Sequence, residues 1–309
     1  MATIQKQIES STATPGEPSS RLPRLLQVAM LMLAIGVVWR IIDVLVLDLG
    51  STWLNIMPSK IGPLIIMLVI LAKLYGNQEA RSVLGLRSDN FRTQLLIGML
   101  LGLSFYFLVD VAGSVIYHFM INASYSLALS IVNPGLLWYA FIFFFVNAVY
   151  EETLFRGLLQ NSFKAKVGVK RAILFSAIIF GVWHAVWPVI NGAGLSEFIS
   201  MVLLSGMLGA FFGIYYEKFS SGKTLYGTIT CHTLINFLNE NFKIGAAVST
   251  QGPDFTFNDP LFMLISVLIF FGMMFFYYRF SWNQRVEQVE RFVLRMKSRL
   301  QVVFNGRER

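Results

Sequence analysis

Apolar stretches long enough to cross a lipid bilayer constrain this chain more than any other feature of its sequence. A hydrocarbon core of about 30 Å takes about 20 helical residues. Eight stretches read as spans, at 25–47, 61–74, 94–120, 136–159, 172–189, 198–216, 225–238 and 261–278, the second and seventh being short. Backbone polar groups in lipid must be satisfied within the segment, so the expected fold is an all-α polytopic membrane protein of about eight transmembrane helices. Composition agrees, since charged residues make up only 14% and hydrophobic ones 55% of 309 residues, with 28 Phe. That balance excludes a water-soluble globule. The net charge of +8 is then a matter of loops, not a nucleic-acid surface. The lone cysteine, Cys231, excludes an intrachain disulfide and a cysteine zinc cluster.

Basic residues test the spans independently, because Lys and Arg gather in cytoplasmic loops. Of the 25, 21 fall on one side if both termini are cytoplasmic; Lys60 and Lys243 occupy the opposite loops, and Arg40 and Arg156 lie within spans. Residues 1–24, rich in Ser, Thr, Pro and Glu, read as a disordered cytoplasmic tail without a signal peptide's apolar core. Past the last span, residues 281–309 read as a basic amphipathic cytoplasmic helix. Its stripe is Trp282, Val286, Val289, Val293, Met296, Leu300 and Val303, suited to anionic lipids at the inner leaflet or to a partner helix. Gly209 and Gly213, four apart in 198–216, allow close approach of another helix. Short loops suit a bacterial inner membrane better than the eukaryotic endoplasmic reticulum.

Ionisable side chains at mid-bilayer are expensive, so each needs a partner or a function. Arg40 and Asp43 are spaced to pair across one turn, and Asp110 and His118 share a face as structural hydrogen-bonding groups or as part of a substrate path. The densest group ends the fourth span, where Asn147 and Glu151 form one ridge and Glu152 and Arg156 a second, about 100° away. Glu152 and Arg156 pair with each other, leaving Glu151 without a local cation and free to act as a general base. The fifth span carries Phe180 and His184, the seventh His232 and Asn236, each four apart, with Asn239 beyond them. At 1.5 Å per residue the three polar groups stand roughly 12, 18 and 11 Å from the inner membrane edge. Cys231, beside His232, reads as apolar filler.

The ordered set Glu-Glu-x-x-x-Arg (Glu151, Glu152, Arg156), Phe-x-x-x-His (Phe180, His184) and His-x-x-x-Asn (His232, Asn236) resembles the CPBP family. This family comprises type II CAAX prenyl proteases and bacteriocin-processing or immunity proteins, and is also called Abi. The resemblance covers about residues 135–240 and implies an intramembrane endopeptidase acting on a membrane-associated or lipid-anchored peptide or protein. Carried over, it makes Glu151 the base that activates water, His184 its helper, and His232 with Asn236 the oxyanion site. Glu152 and Arg156 then fix the geometry, with Phe180 and Asn147 in support. A zinc-dependent version would use Glu151, His184 and His232 as ligands. No HExxH pair is present, and Glu152, the base then remaining, is committed to Arg156, so a metal-free mechanism is expected. A non-proteolytic membrane scaffold or immunity protein is the alternative from a different class.

Overall fold

The computed structural model describes residues 22–47, 57–87, 90–132, 134–190, 194–245, 260–283 and 286–305. The proposed tail at 1–24 lies almost wholly outside them, and so does the Asp43 side chain. Helix α1 (Leu22–Ile42) continues as a π-helical turn, Asp43–Leu47; α2 (Pro58–Tyr75) and the short α3 (Asn77–Val83) follow. Next come α4 (Phe91–Tyr106), a π turn at Phe107–Val111, and α5 (Ala112–Met120). After strand β1 (Leu129–Ile131), α6 (Leu137–Glu152) runs on through a π-helical stretch, Thr153–Gln160, into α7 (Asn161–Val167). The chain ends with α8 (Val169–Ile190), α9 (Leu195–Phe219), α10 (Tyr226–Asn241), β2 (Phe242–Ile244), α11 (Pro260–Asn283) and α12 (Val286–Asn305).

Local chemistry sets the breaks. Pro58 opens α2 at a position whose N–H has no helical partner to lose. Gly76 and Gly168, at φ +77° and +80°, end α2 and α7 by returning their N–H groups to Ala72 and Lys164 carbonyls.

Six runs among the described residues are long and apolar enough to cross a membrane: Leu25–Leu47, Pro58–Tyr75, Phe91–Met120, Pro134–Val167, Phe198–Phe219 and Leu264–Trp282. Their outward faces carry Val46, Phe119, Trp138, Leu268 and Phe276, exposed as a lipid-facing surface requires. The chain is a multi-pass membrane protein. Helices α8 and α10, also read as spans, pack among these; α10, at 16 residues, is shorter than a bilayer crossing. Among the described residues a two-stranded antiparallel sheet departs from the all-α pattern, pairing Leu129 with Ile244 and Ile131 with Phe242. Tyr125 and Tyr106 hydroxyls pin it by donating to the Ile244 and Phe242 carbonyls.

The helix that carries the acidic residues is registered against α9 by three rungs. Arg156 donates to the Gly209 carbonyl at 2.9 Å, Gln160 to that of Gly213 at 3.3 Å, and Lys164 pairs with Glu217 at 3.0 Å. Each partner lies 53 residues further on, so the two helices run parallel, as alternating spans four and six must. Gly209, expected to allow close approach of another helix, does so toward α8: a Cβ there would stand 3.1 Å from Ala177 Cα and Phe180 Cδ1. Gly209→Val therefore overfills the α8–α9 contact. We expect a loss of about 1–3 kcal/mol of stability, read as a lower unfolding temperature in detergent; an unchanged temperature contradicts the packing.

The amphipathic stripe of α12 is only partly described. Met296 packs against the cluster of Ile97 and Tyr215, so at least one stripe residue covers the protein's own bundle. The side chains of Val286, Val289, Val293, Leu300 and Val303 lie outside the described residues.

Candidate active site

Glu151 and Glu152 are the last residues of α6, and Arg156 lies in the π-helical stretch that follows. A π turn takes more residues than an α turn, so side chains four apart stand nearly one above the other. Thr153 supports the widened turn, its hydroxyl donating to the Val149 and Tyr150 carbonyls at 2.7 and 2.9 Å. Arg156 Nη1 lies 3.1 Å from Glu152 Oε1, with both side chains completely buried. The guanidinium also sits over the rings of Phe180 and Phe212, 4.4 and 5.2 Å from their centroids, which adds cation–π attraction in a dry setting.

Helix α10 brings His232 to the other side of Glu152. Its Nδ1 is 2.9 Å from Glu152 Oε1, and its ring stacks on Phe212 at 4.7 Å. Helix α8 supplies His184, whose Nδ1 is 2.8 Å from the Phe180 carbonyl oxygen. A carboxylate and a carbonyl only accept, so in both rings the proton sits on Nδ1 and a neutral ring leaves Nε2 as an acceptor. Both Nε2 atoms face the same oxygen: Glu151 Oε2 is 3.6 Å from that of His184 and 3.7 Å from that of His232. Two imidazole nitrogens therefore converge on one carboxylate oxygen, each too far for a direct hydrogen bond and within the span that a water bridges. Glu151 Oε2 has no protein hydrogen-bond partner. His184, at 26% side-chain exposure, is the open member of the cluster, whereas Glu151 is 2% and His232 4% exposed.

The other oxygen of Glu151 is occupied. Lys60 Nζ donates to Oε1 at 3.2 Å, although the sequence puts Lys60 in an outer loop and Glu151 without a local cation. The correction follows from where α2 begins. Pro58 starts the helix, so Lys60 stands in its first turn and reaches Glu151. The Arg40 guanidinium, read as the partner of Asp43, donates to Ser59 at 3.1 Å, tying α1 to this same turn. The helix bearing Glu151 runs on beyond Leu159, the end expected for the span, to Val167, about 24 Å past Glu151. Gln160 and Asn161, polar enough to suggest an end, are instead satisfied by Gly213, Glu217 and Tyr216.

Of the other residues singled out, Phe180 packs between Arg156 and His184, its ring 4.3 Å from the imidazole. Asn147 is buried one turn before Glu151, and Asn236 lies one turn beyond His232, partly exposed. Among the described residues neither hydrogen-bonds to the cluster. Asp110 accepts from Asn239 at 2.7 Å, while His118 Nδ1 meets the Tyr125 carbonyl at 2.7 Å, so the two serve separate structural contacts. Cys231 is buried among Phe105, Phe211 and Phe212.

One comparison with known proteins is positive. Residues 133–238 match the family model Type II CAAX prenyl endopeptidase Rce1-like. The match agrees with the CPBP resemblance and runs from the start of α6 through most of α10, including every member of the cluster except Lys60. It indicates a protease. No curated protein and no solved structure matches the chain.

A zinc ion would take Glu151, His184 and His232 as ligands. Among the described residues no group of three or more His, Cys, Asp or Glu side chains is arranged to hold a metal ion. The Lys60 ammonium, 3.2 Å from Oε1, also places a positive charge on the carboxylate that a dication would need. That charge favours the metal-free reading, while Glu151, His184 and His232 are themselves residue types that zinc binds.

Proposed function

We propose that the chain is an intramembrane endopeptidase of the CAAX type, cleaving a membrane-anchored peptide or protein by general-base attack of water. The observation that carries this reading is the convergence of Glu151 Oε2 with the two Nε2 atoms at 3.6 and 3.7 Å. A water there donates to two of the three acceptors and turns a lone pair outward. Glu151 takes the water's proton as its oxygen attacks the scissile carbonyl, and returns it to the departing amine. His184 holds the water. A His232 ring that has taken up a solvent proton at Nε2 before the attack donates from that atom to the carbonyl oxygen and keeps the proton through the step, and Asn236 on the same helix face adds an amide donor. Glu152, held by Arg156, fixes the His232 ring and its tautomer, as a second carboxylate does in hydrolytic triads.

The substrate class follows from the Rce1-like match and from a site set within a lipid-facing bundle. A prenylated cysteine lies in the lipid while the peptide bond beside it enters at the open His184 side. The assay is full-length protein in lipid vesicles with a farnesylated CAAX peptide, release of the C-terminal tripeptide being followed by mass spectrometry. Release that depends on Glu151 supports the reading. A scaffold that merely binds such peptides gives retention without release.

The mechanism proposed is metal-free. Activity is expected to survive exhaustive chelation within about twofold, since no step passes through a metal. Loss on chelation, restored by stoichiometric zinc, overturns this part of the account.

A further inference from the structure

We propose that Lys60 is a positioning residue of this active site, its ammonium holding Glu151 by Oε1 so that Oε2 is the oxygen presented between His184 and His232. The inference rests on the reading of Glu151 as the base. It lies outside the matched segment, since the family model begins at residue 133 and Lys60 arrives from α2.

Charge placement argues for it first. The cluster buries two carboxylates, Glu151 at 2% and Glu152 at 0% side-chain exposure. Arg156 is committed to Glu152 and to the Gly209 carbonyl, so it does not balance Glu151. Both histidines place Nε2 atoms 3.6 and 3.7 Å from Glu151 Oε2, beyond direct hydrogen-bonding distance, while their Nδ1 atoms are engaged elsewhere. A buried carboxylate without a counter-charge is strongly disfavoured. Lys60, itself only 12% exposed, supplies that charge at 3.2 Å.

Geometry argues for it second. A carboxylate rotates about its last bond, and either oxygen of an unheld Glu151 could face the histidines. Lys60 binds one oxygen and leaves the other at 3.6 and 3.7 Å from the two imidazoles. The lysine is in turn fixed by its setting: Pro58 starts the turn, Ser59 is held by Arg40, and the Nζ lies 6.0 Å from the centre of the Tyr150 ring. Five elements, α1, α2, α6, α8 and α10, thus determine which face of one carboxylate meets the water.

The test compares Lys60→Arg, Lys60→Gln and Lys60→Met with Glu151→Gln in the full-length protein, using the vesicle assay and the farnesylated peptide. Lys60→Gln and Lys60→Met are expected to lower kcat about a hundredfold with little change in KM, the size usual for loss of one preorganised polar group. Lys60→Arg, which keeps the charge, recovers most of that loss. A lysine serving structure alone predicts instead that the variants lose folded protein while the kcat of the remaining fraction is normal. Full kcat in Lys60→Gln, or higher activity from opening a plugged site, overturns the proposal if Glu151→Gln is inactive in the same preparation. Activity in Glu151→Gln overturns the underlying reading. If Lys60→Met does not fold, the ratio of Lys60→Arg to Lys60→Gln still decides: equal kcat values reject the role of charge.

Discussion

Glu151→Gln is expected to lower peptide-bond hydrolysis by about a thousandfold or more, within the range for loss of a general base, while leaving the protein folded. The amide keeps the size of the side chain and still accepts at one atom, but it does not take a proton from water. It also removes the negative end of the Lys60 pair at 3.2 Å, but the amide oxygen still accepts from the ammonium, which keeps a polar partner. The unfolding temperature should therefore move little compared with activity. Equal loss of folded protein and of turnover would make Glu151 a structural residue.

The largest stability effect should come from Arg156. Its guanidinium is completely buried between Glu152, the Gly209 carbonyl and two aromatic rings. Removing one partner of such a pair leaves a buried charge uncompensated and costs about 3–5 kcal/mol. Arg156→Met should thus destabilise strongly, and it should also release the first of three rungs between this helix and α9. The double variant Glu152→Gln/Arg156→Met is expected to be more stable than Arg156→Met, because the orphan carboxylate has gone too. Thermal unfolding in detergent measures both. Additive losses in the double variant contradict the ion-pair account.

How much of this was legible in the sequence depended on which residues stood out against apolar helix. Glu151, Glu152, Arg156, His184 and His232 are ionisable groups inside spans, where each demands explanation, and helical spacing alone sorts Glu152 toward Arg156. Phe212 gave no signal, being one Phe among 28, yet its ring orients His232. Lys60 was hidden by the rule that revealed the topology. A rule that assigns basic residues to loops places a lysine at the head of an apolar run on the opposite face, one of two there. That exception was itself a signal, and Pro58 two residues earlier marks a helix start that would have moved Lys60 inside. Gln160 and Asn161, polar side chains within a long helix, give no local sign of what satisfies them. Their polar groups are satisfied by α9, a tertiary contact that no local pattern reveals.

The short sheet was not foreseen for a related reason. Its strands lie in loops more than a hundred residues apart and pair over only three positions, held as much by tyrosine hydroxyls as by their own propensity.

The central claim is that Glu151 directs water to a peptide bond within the membrane, and labelled water tests it most directly. Membranes from cells making the wild-type chain or Glu151→Gln are incubated in H₂¹⁸O, and newly formed C-termini are identified by mass spectrometry. The account predicts at least one membrane-anchored protein that gains an ¹⁸O-labelled C-terminus with the wild-type chain and stays intact with Glu151→Gln. Identical sets of termini, in cells where the wild-type chain and Glu151→Gln support growth or secretion equally, would contradict it.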